Sequence, residues 1–113
     1  MKKLPATFYQ SARGATPSLD WIRSLSKAEQ KAIGTDIAVV EFGWPIGMPT
    51  CRAMGKGLYE IRTDLPSGTI ARVFFCIHKD QIVLLHGIIK KTQKTPAADL
   101  ALAIARQREV ERQ

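Results

Sequence analysis

Two periods of hydrophobic recurrence run along this chain, and the switch between them divides it. Residues 4–10 (LPATFYQ) set Leu4, Ala6 and Phe8 at alternate positions, so residues 1–10 read as a first strand or extended lead-in. Thr16-Pro17 is a helix-start signal, a capping residue followed by proline at the first helical position. The helix it opens carries Leu19, Ile22 and Leu25 on one face, with Trp21 beside them. Ser26-Lys27-Ala28-Glu29 is a capping box and begins a second helix, whose apolar stripe is Ile33, Ile37 and Val40. Gly43-Trp44-Pro45 and Gly47-Met48-Pro49 stop it, which leaves a helical hairpin over residues 16–43.

Beyond these breakers the period falls to two. Residues 57–65 (GLYEIRTDL) put Tyr59, Ile61, Thr63 and Leu65 on one face and Leu58, Glu60, Arg62 and Asp64 on the other. Pro66-Ser67-Gly68 is a turn. Residues 70–77 (IARVFFCI) are apolar except for Arg72, as in a central strand covered on both faces. A tight connection at His78-Lys79-Asp80 leads into a third strand, residues 81–89 (QIVLLHGII). Short turns make these strands an antiparallel meander, with the sheet spanning residues 51–90. Thr95-Pro96 repeats the cap-then-proline signal, and residues 96–113 form a last helix with Leu100 and Ile104 inward and a charged, fraying end (RQREVERQ). The class is α+β: two helices and a final helix on an antiparallel sheet of about four to five strands, all one domain over residues 1–113.

Composition adds exclusions. With 113 residues, 45% apolar and 24% charged, the chain is a soluble globular domain rather than a disordered tail. No stretch is apolar enough to span a membrane, and the first ten residues lack the apolar core of a secretory signal. Cys51 and Cys76 form no CxxC pair and no Cys/His cluster, against a zinc module or a disulfide scaffold and in keeping with a reducing cytoplasm. Cys76 reads as a core residue and Cys51 as the more accessible one, with no neighbouring base to make it a nucleophile.

Charge changes the picture more. The chain is +7 at neutral pH, and residues 51–95 hold eight basic against three acidic side chains. A basic middle on so small a domain points first to nucleic acid and then to an acidic protein partner. Arg72 interrupts an apolar strand, where a guanidinium is costly unless it is paired or opens on a polyanion cleft. A short turn sets Arg62 beside it on one side of the sheet. Two readings stand for the pair: a phosphate clamp, or ion pairs with Glu60 or Asp64 across strands. Lys90, Lys91 and Lys94 leave the last strand next to a helix start, a place that favours anions; Lys56 adds a further cation. His86 reads either as a core histidine or as a general acid or base, and His78 as an exposed turn residue. Tyr9, Tyr59 and Trp44 are candidate base-stacking rings, and Trp21 a packing one. Phosphate-loop, dinucleotide, zinc-protease and nucleophile-elbow motifs are absent.

Three segments together carry a resemblance. Gly57-Leu58-Tyr59-Glu60-Ile61-Arg62, Arg72-Val73-Phe74-Phe75, and Leu84-Leu85-His86-Gly87-Ile88-Ile89-Lys90-Lys91-Thr92-Gln93-Lys94-Thr95-Pro96 resemble the RelE/HigB toxin superfamily, above all its phage-derived HigB-type branch. The resemblance spans about residues 50–105 and the helical hairpin in outline. It implies a RelE-like fold with a twisted sheet, and the toxin of a type II toxin–antitoxin pair. It implies entry into the ribosomal A site and cleavage of mRNA by attack of a 2′-hydroxyl on the adjacent phosphate, with no metal or other cofactor. Its implied partners are a cognate antitoxin of helix-turn-helix type, the ribosome with its mRNA, and operator DNA through the antitoxin complex alone, with no membrane. By position it assigns Arg62 and Arg72 to the scissile phosphate and Lys90, Lys91 and Lys94 to the RNA backbone, one of the lysines also able to act as acid or base. Tyr59 and Lys56 become RNA contacts and His86 a candidate acid or base. Nothing after Lys91 is histidine or tyrosine, where several superfamily members carry such a residue. The alternative function is a non-catalytic RNA- or ribosome-binding module, or an autorepressor acting with its antitoxin.

Overall fold

Local chemistry sets each boundary in the computed structural model, which describes residues 1–91 and 94–113. The chain runs β1 (Ala6–Phe8), α1 (Pro17–Arg23), α2 (Lys27–Gly43), β2 (Cys51–Gly55), β3 (Leu58–Asp64), β4 (Ile70–His78), β5 (Gln81–Lys90) and α3 (Ala97–Glu111). The capping box at α2 is complete: the Glu29 N–H donates to the Ser26 hydroxyl (3.2 Å), and the Ser26 N–H donates to the Glu29 carboxylate (2.9 Å). At α1, Thr16 occupies the cap position without a side-chain bond, so the start rests on Pro17. Lys79 and Asp80 both take positive φ, 50° and 61°, the conformation of a two-residue hairpin turn between β4 and β5.

The strands form one sheet in the order β1-β5-β4-β3-β2. The meander from β2 to β5 is antiparallel, as the alternation predicts, but β1 joins β5 in parallel, Ala6 opposite Ile82 and Phe8 opposite Leu84. The wholly antiparallel expectation is therefore corrected to a mixed sheet. Two helices intervene after β1, so the chain crosses one face before it starts the meander at the opposite edge. β2 is a strand that periodicity alone did not separate from its loop.

Helices cover both faces. Ile33 and Val40 of α2 with Trp21 and Ile22 of α1 pack on Ile61, Val73, Phe75 and Leu84. On the other side Ala103 and Val110 of α3 pack on Leu58, Phe74, Cys76, Val83 and Leu85. A bulge in β5 pairs Phe74 with His86 and Phe75 with Leu84, leaving Leu85 as the extra residue. Gly87 lies directly under the Trp21 indole, where a Cβ would overlap the ring.

Four local expectations change. Pro96, not Thr95, caps α3. The helix does not fray early, because Val110 is buried and the Tyr9 hydroxyl donates to Glu109. Cys51 is buried, since it faces α2 rather than solvent. His78 ends β4 and is half-buried rather than exposed. Among the described residues, no helix is long and apolar enough to cross a membrane.

Candidate functional site

β3 and β4 bring Arg62 and Arg72 to directly opposite positions. Opposed residues lie about 5 Å apart at Cα and share a face, here the one under α3. Two like charges so placed repel unless a counter-charge lies between them. Glu60, two residues before Arg62 on the same face, supplies it. Its Oε1 is 3.6 Å from Arg62 Nε and 3.9 Å from Arg72 Nη1. The ion-pair reading with Glu60 is what the structure shows: the guanidiniums stand together, and a carboxylate binds them. Asp64, the other acidic candidate, is exposed.

Burial separates the members. The Glu60 and Arg72 side chains are wholly enclosed, whereas that of Arg62 is 18% exposed. Among the described residues the Glu60 oxygens accept no hydrogen bond, which leaves them held by charge alone. Arg72 Nη1 donates to the Thr95 hydroxyl at 3.4 Å, so the approach to α3 roofs the cluster.

His86 stands one row along, opposite Phe74, which in turn faces Glu60. Its ring lies 6.3 Å from the Phe74 ring, near parallel. Nε2 is 2.8 Å from Asp99 Oδ1 and Nδ1 is 3.4 Å from Arg106 Nη1. A guanidinium only donates, which makes Nδ1 the acceptor and places the proton on Nε2, toward Asp99. Arg106 also donates to the Leu85 carbonyl at 2.8 Å and stacks over Tyr9, 5.3 Å from its centroid. The Tyr9 hydroxyl is held above its usual pKa by its hydrogen bond to Glu109 and by burial, against a lowering pull from Arg106.

The lysines of the basic stretch gather at the same end. Lys90 is two residues beyond Ile88, the partner of Arg72, and it is exposed with Lys91 and Lys94. Thr92 and Gln93 lie outside the described residues. The remaining candidates stand apart. Tyr59 projects from the opposite face, where it packs against Trp44 and Phe75 at centroid distances of 4.8 and 5.4 Å. Lys56 sits in the β2–β3 turn beyond Leu58, which is itself about 13 Å along the strand from Arg62. Tyr9 is buried against α3 and Trp44 is in core contact, so neither is a free base-stacking ring.

Sequence reasoning did not find Thr95, Asp99 or Arg106, and it treated Glu60 only as a possible pairing partner. Glu60 did carry a signal, since it shares the face of Leu58 in the alternation. The α3 residues carried none, because their role depends on which face that helix covers.

No curated protein matches this chain. A family model described as phage-derived protein Gp49-like (DUF891) matches residues 20–108, from within α1 into the last turns of α3, and so takes in the arginine pair, Glu60, His86 and the lysines. The chain belongs to that Gp49-like family, a toxin-like family related to the RelE/HigB-type toxins.

Proposed function

We propose that this protein is the toxin of a toxin–antitoxin pair, a cytoplasmic, ribosome-dependent endoribonuclease. The observation that carries the reading is the cross-strand pairing of Arg62 with Arg72, with Glu60 between them and Lys90 one step along. Two guanidiniums fit the charge that develops on a phosphodiester as it becomes pentacoordinate. In this reading neutral His86 accepts the proton of the attacking 2′-hydroxyl on its unprotonated ring nitrogen, and the 2′-oxygen bonds to phosphorus. The phosphorus–5′-oxygen bond breaks, and the Lys90 ammonium gives the leaving oxygen its proton. The products are a 2′,3′-cyclic phosphate and a 5′-hydroxyl end. Lys90, Lys91 and Lys94 hold the RNA backbone. Arg62 meets the substrate first, and Thr95 yields its place on Arg72 to the phosphate.

The cognate partner is an antitoxin, of helix-turn-helix type by the resemblance, which reaches operator DNA with the toxin in complex. Primer extension on a reporter mRNA in a coupled translation reaction tests the enzyme. We expect new 5′-hydroxyl ends on translated message, lost in Arg62→Ala. Cutting of untranslated RNA would discard the ribosome from the mechanism.

The full burial of Arg72 and its pairing with Glu60 favour a second reading, a binder without catalysis. Inhibited translation without new RNA ends would establish it.

A further inference from the structure

We infer that the outer edge of β2 is a docking site for an extended acidic segment of a partner protein, which adds to the sheet as a further strand. β2 is last in the strand order and, among the described residues, pairs only with β3. The Arg62 N–H donates to the Thr50 carbonyl at 2.7 Å, and Arg52 lies opposite Glu60. An antiparallel ladder alternates, so the N–H and C=O of Ala53 point away from β3. The outward N–H of Cys51 is already engaged by the Gly47 carbonyl at 3.1 Å, which places the open stretch at Ala53.

A cleft flanks this edge on each face of the sheet. One, of about 320 Å³, is lined by Trp44, Ile46, Ala53 and Tyr59 among others. The second, of about 450 Å³, lies between the β2–β3 hairpin and α3 and is lined by Met54, Leu58, Leu100 and Ile104 with polar neighbours. Successive side chains of an added strand point to opposite faces, so consecutive apolar residues of an incoming segment would seat one in each cleft. No single-sided groove offers that match.

Charge selects the occupant. Arg52 and Lys56 are exposed along the edge, and Arg108 on α3 rims the larger cleft against the single carboxylate of Glu111. A second copy of this edge would bring like charges together, whereas an acidic segment neutralises them. The surface stands apart from the arginine pair and does not depend on the nuclease reading.

Peptides of about ten residues, long enough for one strand, displayed as a random library and selected on the full chain, provide the test. Enriched sequences are expected to carry Asp or Glu together with large apolar residues at adjacent positions. Their synthetic forms should shift the backbone resonances of residues 51–59 and of α3. Methylating the peptide amides that face Ala53 should weaken binding about tenfold, while methylating the intervening amides should not. Arg52→Glu should weaken the same peptides without unfolding the chain. Enrichment without acidity, shifts elsewhere, indifference to N-methylation, an empty selection, or a concentration-dependent dimer through β2 would each overturn the inference.

Discussion

Glu60 is the residue on which the buried cluster depends. Its carboxylate separates two guanidiniums that the strand register forces together, and it lies out of water. Removing one member of a buried charge group leaves the others uncompensated, a loss of about 3 kcal/mol. We therefore expect Glu60→Gln to lower the melting temperature by roughly 10 °C in a calorimetric or dichroism scan. Arg62→Ala should cost less than about 1 kcal/mol, because water already reaches that guanidinium. Arg62→Ala is thus the variant that separates loss of chemistry from loss of fold. The two thiols offer a second check at this scale. Burial, with a smaller push from Glu60 on Cys51 and from Glu111 on Cys76, raises both pKa values to about 11. Only roughly one thiol in a thousand is then ionised at pH 8. Both should react with a disulfide reagent far more slowly in the native chain than in urea. Fast native labelling at either position would contradict their packing.

Among the elements, β5 and α3 carry what the site needs and α1 fixes where they sit. Gly87 lets the Trp21 indole lie on the β5 backbone; Gly87→Ala forces the ring off and should destabilise by about 1–3 kcal/mol in urea unfolding. The far end of α3 is pinned by Tyr9. Its hydroxyl must keep its proton to donate to Glu109, and its folded pKa lies above the ordinary tyrosine value of 10.0. The stabilisation is therefore complete below pH 10 and lost as pH rises through the higher folded value. Hydrogen exchange at Arg108 to Glu111 should accelerate there in the native chain, and Tyr9→Phe should remove that pH dependence. Much of this level was legible in sequence. The alternation around Glu60 assigned faces, Ser26 and Glu29 marked the start of α2, and the short turn after Leu65 put Arg62 beside Arg72. The rest depends on distant partners. Cys51 to Gly55 is too short and too mixed to show a period, the parallel landing of Ala6 beside Ile82 has no local signature, and nothing near Thr95 says that it will lie over Arg72.

At the scale of the whole molecule, charge and packing are segregated. The α1/α2 side holds Tyr59, Trp44 and Phe75 in a packed aromatic cluster, while the α3 side carries the arginine pair, and the exposed lysines stand at and beyond the end of β5. Salt should weaken RNA binding in proportion to the phosphates neutralised. Lys90→Ala with Lys91→Ala should flatten the log–log salt slope by about 1.4, read by filter binding or anisotropy. An unchanged slope would remove these lysines from the RNA path. The parallel seam between β1 and β5 has a consequence for how the molecule comes into being. Ala6 finds its partner only at Ile82, after both other layers of that face have been laid down in the chain. Closing so wide a loop is slow, because its entropy is spent before the contact rewards it. On a translating ribosome the first strand must wait unpaired until nearly the whole sheet has emerged. The seam of the first strand is then closed late, as one of the last acts of folding rather than one of the first.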